Sequence, residues 1–128
     1  MIKHRRAFIT GIKTTKLLKK EINFIKRYKP WGIILFSRNI KEIDQAKKLI
    51  KSIKNLFNDK YYPILIDQEG GRINRFDKLI DVSLFSADFF GKLFNKNKKK
   101  FFIYHQIYIK QISYLLNELG ININTVPI

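Results

Sequence analysis

Two short apolar runs constrain the fold of this chain more than any other feature. They are Ile33–Phe36 and Tyr62–Ile66, and each is apolar almost throughout. Runs of this length are typical of strands buried on both faces, as in a parallel sheet. Between them, apolar residues recur at helical spacing over 43–57, with lysines mostly on the opposite side. The sequence therefore predicts a strand–helix–strand unit, which is the repeating unit of α/β folds.

The flanking sequence extends this alternation. The spacing of apolar residues predicts a helix over 16–28 and a long helix over 101–119, and residues 121–128 are interpreted as a third strand. Gly120 is the predicted C-cap of the long helix. Its predicted inward side chains are Tyr104, Tyr108, Ile112, Leu115, Leu116 and Leu119.

Two local details complete the predicted order of elements. Asn39 is interpreted as the N-cap of the central helix, with Glu42 as its reciprocal partner. Residues 68–100 hold a glycine-containing loop and a phenylalanine-rich stretch, interpreted as a short helix or ordered loop that packs aromatic rings. The prediction is an α/β protein with three parallel strands.

The segment Asp67–Arg75 is the strongest candidate for a functional site. It places two carboxylates, two glycines and two arginines directly after a predicted strand, where functional groups gather in parallel β/α folds. A carboxylate there can accept hydrogen bonds from a sugar diol, and a guanidinium can donate to hydroxyl or carboxylate groups. The structural alternative is a turn in which Arg72 or Arg75 pairs with Glu69. Asp67 and Glu69 are rejected as a glycosidase carboxylate pair, because alternate residues of an extended segment point in opposite directions.

Several other classes of site are excluded by the residues. The chain has no cysteine and only two histidines, so disulfide scaffolds and thiolate zinc sites are ruled out and no metal site is predicted. His105 is interpreted as a packing residue of the long helix. No apolar run is long enough for a secretory signal or a membrane span, and a cytoplasmic protein is expected.

The strong positive charge has two explanations. The chain carries 26 Lys and Arg against 10 Asp and Glu, a formal charge of +16, which is compatible with a module that binds nucleic acid or another polyanion. It also contains 20 Lys, 22 Ile and 10 Asn but only three Ala, the pattern expected from a genome rich in A and T. The lysines are dispersed, and compositional bias is the preferred explanation, so nucleic acid is not the expected partner.

Three segments resemble the family 3 glycoside hydrolases, in particular their bacterial β-N-acetylhexosaminidases of cell-wall recycling. They are Pro30–Asn39, Asp67–Arg75 with its Asp-Gln-Glu-Gly-Gly-Arg-x-x-Arg pattern, and Leu119–Asn124 with Pro127. The resemblance implies a partial TIM-type (β/α)8 barrel of about three β/α units. Residues 1–128 would then be the N-terminal portion of a truncated catalytic domain.

The resemblance also implies an activity and a set of binding residues. The expected reaction is retaining hydrolysis of terminal β-linked N-acetylglucosamine from peptidoglycan fragments, without a cofactor. Asp67 and Arg75 would bind the terminal sugar, and the supporting loop would comprise Glu69, Gly70, Gly71 and Arg72.

The family's catalytic groups have no counterpart in these 128 residues. Its nucleophilic Asp and its acid/base His follow the position of Ile128. We therefore expect the chain to be inactive alone. A broken gene, a frameshift and a split enzyme with a separately encoded C-terminal half all remain open.

Overall fold

The computed structural model describes residues 4–126, which form one parallel sheet with helices packed against it. The sheet has four strands, and each pairs in parallel with the next one along the chain. The predicted α/β alternation is confirmed, with one strand more than expected. The strands are β1 (Arg6–Gly11), β2 (Pro30–Leu35), β3 (Ile64–Ile66) and β4 (Ile123–Asn124).

The helices connect successive strands. One crosses between β1 and β2, one between β2 and β3, and a pair connects β3 to β4. Each crossover contains a helix, the usual connection between parallel strands. The helices are α1 (Lys19–Tyr28), α2 (Ile43–Leu56), α3 (Ala87–Lys96) and α4 (Lys98–Leu119).

The core lies between one face of the sheet and the helices. Ile33 and Leu35 of β2 and Ile64 and Ile66 of β3 are completely buried. They belong to one cluster with residues of the helices, among them Ile25 of α1 and Leu49, Ile50 and Ile53 of α2. The two apolar runs therefore form the central strands, as predicted.

β1 is the element that the sequence interpretation missed. Its apolar residues Ala7–Ile9 are followed by Thr10 and Gly11, so the run is short, and no residue of the strand is fully buried. The strand forms because it pairs in parallel with β2, which lies more than 20 residues later in the chain. That contact leaves no local signature in the sequence.

Asn39 is not the N-cap of α2, and this interpretation was wrong. Helix α2 begins after Glu42, while Asn39 ends a short 3-10 helix. The side chain of Asn39 is fully buried; its oxygen accepts from the backbone of Phe36, and its Nδ2 donates to the carbonyls of Ile12 and Thr14. Asn39 thus holds the loop after β1 against the end of β2.

Other boundaries also differ from the predictions. α1 begins three residues later than the predicted 16, because the carboxylate of Glu21 accepts from the backbone N–H groups of Lys13 and Leu18 and holds that segment as a loop. The predicted third strand over 121–128 is reduced to β4, and its residues 127–128, including Pro127, lie outside the described residues.

The long helix α4 and its cap are largely as predicted. Gly120 ends the helix in the left-handed conformation, at φ 83°, and Ile112 and Leu119 are buried. The prediction for Tyr104 was wrong, since that side chain is 47% exposed. The phenylalanine-rich stretch forms α3, whose rings pack against α4 and against the loop before it.

Candidate functional site

The structure brings Asp67 and Arg75 together at the carboxyl end of the sheet. Asp67 directly follows β3, and its Oδ2 lies 3.2 Å from Nη2 of Arg75. Both side chains are about a quarter exposed. The guanidinium of Arg75 lies 5.3 Å from the ring centre of Phe36, at the end of β2. This is a partly open, polar corner formed by the ends of two neighbouring strands.

Gln68 positions this corner, although the sequence analysis gave it no role. It is 2% exposed, and its Oε1 accepts from the backbone N–H groups of Arg75, at 2.7 Å, and Phe76, at 3.2 Å. A single buried amide therefore fixes where the chain returns after the loop and sets the position of Arg75.

Asn124 ties the same loop to the neighbouring strand. Its Oδ1 accepts from the backbone N–H of Gln68 at 3.0 Å, and its Nδ2 donates to the carbonyl of Gln68 at 3.2 Å. Two side chains that the prediction omitted thus fix the loop. The available signal was an amide residue close to the carboxyl end of a strand, Gln68 two residues after β3 and Asn124 at the end of β4.

The two glycines allow the loop to fold tightly. Gly70 and Gly71 have φ values of 94° and 61°, a region that side chains disfavour. A Cβ on Gly70 would lie 2.4 Å from the carbonyl oxygen of Phe85 and 2.5 Å from Oη of Tyr108. The predicted supporting role of the glycines therefore has a steric basis.

Tyr108 connects the loop to helix α4. Its hydroxyl donates to the carbonyl of Glu69 at 3.0 Å, and burial raises the pKa of that hydroxyl. The side chains of Glu69 and Arg72 are exposed and form no ion pair within residues 4–126. Arg75 pairs with Asp67, so the structural alternative of an arginine pairing with Glu69 is contradicted.

The Asp67–Arg75 pair provides complementary hydrogen-bonding groups. A carboxylate can accept from two adjacent hydroxyls while a guanidinium donates to a third oxygen. In the described part of the chain, no group of three or more His, Cys, Asp or Glu could hold a metal ion. The arrangement suits recognition of a polyhydroxylated ligand.

The remaining residues singled out from the sequence do not join this corner by hydrogen bonds or ion pairs within the described chain. His105 stacks on Phe101 and meets the edge of Phe90, as a packing residue would. Exposed lysines are spread over all four helices α1–α4. Within residues 4–126, no helix has both the length and the apolar character needed to span a bilayer.

Sequence comparison finds relatives that match about half of the chain. A β-hexosaminidase of Histophilus somni is 38% identical over 68 residues, which are 53% of this chain and 19% of that protein. The match therefore spans about a fifth of the relative's length. No protein-family model matches the chain.

Solved structures match nearly the whole fold. NagZ of Neisseria gonorrhoeae superposes with a TM-score of 0.82 at 25% identity, over 96% of this chain and 36% of that one. A second structure of that protein, in complex with N-trifluoroacetyl-D-glucosamine, matches 56% of this chain and 21% of its own at 35% identity, with a TM-score of 0.51.

A further match shows the fold alone. A glycoside hydrolase family 3 β-N-acetylglucosaminidase from Paenibacillus gives a TM-score of 0.66 at 24% identity, over 94% of this chain and 22% of that one. The four parallel strands of this chain and their helices thus form part of a TIM-type barrel. In sequence and in fold, the chain is similar to the N-terminal portion of the β-N-acetylglucosaminidases of glycoside hydrolase family 3.

Proposed function

We propose that residues 1–128 are the N-terminal portion of a family 3 catalytic domain and bind the terminal N-acetylglucosamine of peptidoglycan fragments. The observation that carries this proposal is the Asp67–Arg75 pair at the carboxyl end of the sheet, in a chain whose fold matches NagZ. Ligands of TIM-type barrels bind at that end of the strands. The corresponding reaction is retaining hydrolysis of a β-linked sugar during cytoplasmic peptidoglycan recycling.

Each group of the loop has a distinct role in this proposal. Asp67 accepts hydrogen bonds from neighbouring sugar hydroxyls, and Arg75 donates to an oxygen of the same sugar. Gln68 holds the backbone of Arg75 in place through the bond of 2.7 Å. Glu69, Gly70, Gly71 and Arg72 form the supporting turn.

The hydrolytic step requires groups besides this pair. Retaining hydrolysis needs a carboxylate that attacks the anomeric carbon and a separate group that protonates the leaving oxygen. Asp67 is paired with Arg75 and serves binding. We therefore propose that the nucleophile and the acid/base belong to the C-terminal half of the catalytic domain, which completes the barrel.

Binding can be tested with the sugar analogue seen in the gonococcal NagZ structure. The probe is N-trifluoroacetyl-D-glucosamine, whose fluorine resonance is followed by NMR during titration with the protein. Trp31 is a poor reporter, because it lies near the start of β2 while Asp67 follows the end of the parallel strand β3. The expected result is a saturable change in the fluorine signal.

Matched variants make this experiment specific. Asp67→Asn removes the charge with little change of shape and should weaken binding by at least about tenfold, the order expected for loss of a charged hydrogen bond. Asp77→Asn makes the same change at an exposed position and should bind like the wild type. Equal binding by both variants, or no binding by the wild type, would contradict the proposal.

Catalysis by the isolated chain gives an independent check. The pure protein should release no nitrophenol from a nitrophenyl N-acetyl-β-glucosaminide, because the nucleophile and the acid/base are assigned to the other half. Nitrophenol release by an activity that copurifies with the protein would show that the chain carries its own catalytic groups.

A further inference from the structure

Both edges of the sheet are open within the described residues. β1 pairs only with β2 and β4 only with β3, so each leaves one row of backbone N–H and C=O groups unpaired. All four strands run in the same direction. Such an edge can template pairing with another strand, because its backbone groups are unpaired.

The sheet also has an apolar face on the side opposite the one that packs against α1 and α2. The strand register places Gly11, Ile34, Leu65 and Ile123 on one face, opposite the buried row that packs against α1 and α2. Ile9, on the edge strand, shares this face and is 45% exposed, while Ile34 and Ile123 are half-buried and Leu65 is 3% exposed. In a closed barrel this face would line the interior.

The number and order of the strands indicate which element can pair with both open edges. A TIM-type barrel closes with eight parallel strands, and this chain supplies four consecutive ones in the order β1-β2-β3-β4. A two-fold axis along the sheet's strand direction places β4 of one copy beside β1 of the other at two identical seams. All strands then remain parallel, and no edge is left.

We propose that the isolated chain is a homodimer in which two four-stranded sheets close into one eight-stranded barrel. The row that contains Ile9 and Ile123 becomes part of the shared interior, where the exposed side chain of Ile9 is covered. This inference does not rest on sugar binding. The same two edges would receive the proposed C-terminal half, so the homodimer is the state of the chain expressed alone.

The positive charge of each copy opposes dimerisation and predicts how the dissociation constant depends on salt. Each copy carries +16, so the two copies repel one another at low ionic strength and less so when salt screens them. The dimer should therefore become tighter as salt is added. Binding to a polyanion would show the opposite dependence.

Molar mass in solution is the first test. Light scattering coupled to size exclusion should give twice the chain mass of 15.3 kDa, with dissociation on dilution. Ile9→Glu should raise the dissociation constant by at least about tenfold, since the carboxylate would be enclosed in an apolar interior. Leu84→Glu, at a side chain that is 77% exposed, is the matched control and should leave it unchanged.

Cysteine cross-linking tests the seam itself, because the chain has no cysteine of its own. A cysteine is placed in turn at Ala7 or Ile9 of β1 and, in a separate chain, at Ile123 of β4. Neighbouring strands lie close enough for a disulfide. Mixing a β1 variant with the β4 variant should give a cross-linked dimer under mild oxidation, whereas each variant alone should not.

Several results would overturn the proposal. These are a monomer across the accessible concentrations, a broad series of masses above the dimer, and cross-links between β1 cysteines only. A one-to-one complex with a different polypeptide and no homodimer would assign the edges to that partner instead. None of these results bears on the fluorine binding experiment, so the two proposals can fail separately.

Discussion

Gly70 lies where the candidate site touches two distant parts of the chain. Its φ of 94° suits glycine, and the nearest atoms to an added Cβ belong to the backbone of Phe85 and the hydroxyl of Tyr108. The carbonyl of Phe85 cannot move without moving the loop before α3. The conformation of the Asp67–Arg75 segment therefore depends on the missing side chain at this position.

Substitution of this glycine should reduce stability. Gly70→Ala combines a strained backbone, which costs roughly 1–3 kcal/mol, with contacts below 3 Å, so the free energy of unfolding should fall by at least about 2 kcal/mol. Gly91→Ala is the matched control, because nothing lies within 4 Å of its Cβ position in α3. That variant should gain about 0.5–1 kcal/mol. Urea unfolding followed by circular dichroism measures both, and a neutral Gly70→Ala would contradict the steric argument.

The resemblance to family 3 singled out Asp67 and Arg75 in the segment after β3, but no local pattern singled out the residues that hold them. The bonds from Asn124 to Gln68 span 56 residues, and such a contact has no local signature. Asn39 shows the converse: Asn followed by Glu42 fits the capping rule, yet burial beside Ile12 determines its role.

At the scale of elements, α3 and α4 are held together largely by aromatic rings. Phe90 is 7% exposed, and its ring lies between 4.8 and 6.2 Å from five others. The sequence predicted aromatic packing here without its partners, since the rings come from both helices and from the preceding loop. Those partners are Phe85, Phe89, Phe101, His105 and Tyr108.

Truncation of the central ring should loosen this helical pair. Phe90→Ala should lower the free energy of unfolding by about 3–4 kcal/mol, through lost burial and the cavity left behind. Phe102→Ala removes the same ring from a side chain that is 62% exposed and should cost less than about 1 kcal/mol. Thermal and urea unfolding of the two variants compares them directly, and equal losses would show that Phe90 is not the centre of the cluster.

The same contrast between local and distant contacts explains why β1 was not predicted from the sequence. A continuous apolar run identifies a central strand, because such a strand has a neighbour on each side and most of its side chains are buried, as in β2 and β3. An edge strand such as β1 is half-exposed and is recognised only by its partner. The missed strand is also one of the two that leave the sheet open.

At the scale of the whole molecule, positive charge is in large excess. The described residues contain four ion pairs, while the chain carries 26 basic side chains and 10 acidic ones. Most basic groups therefore repel one another across the surface, and self-repulsion destabilises a compact state. This repulsion acts whatever the origin of the basic residues.

The clearest concentration of this charge lies at the start of α4. Lys98, Lys99 and Lys100 are exposed and occupy the first turn, which holds no acidic residue. The N-terminus of a helix carries a partial positive charge, so cations there are unfavourable by roughly 0.3–1 kcal/mol each. Repulsion by the rest of the molecule adds to this local effect.

Neutralising this turn should stabilise the protein in a salt-dependent way. Replacement of all three lysines by glutamine lowers the formal charge from +16 to +13 (16 − 3) and should raise the free energy of unfolding by about 1–2 kcal/mol at low ionic strength. The difference from the wild type should shrink as salt screens the charges. Replacement by three arginines keeps the charge and should leave stability nearly unchanged. The free energy of unfolding of the three proteins is measured by urea titration at low and high sodium chloride. Equal values for the glutamine and arginine variants would show that charge at this turn has no influence on stability.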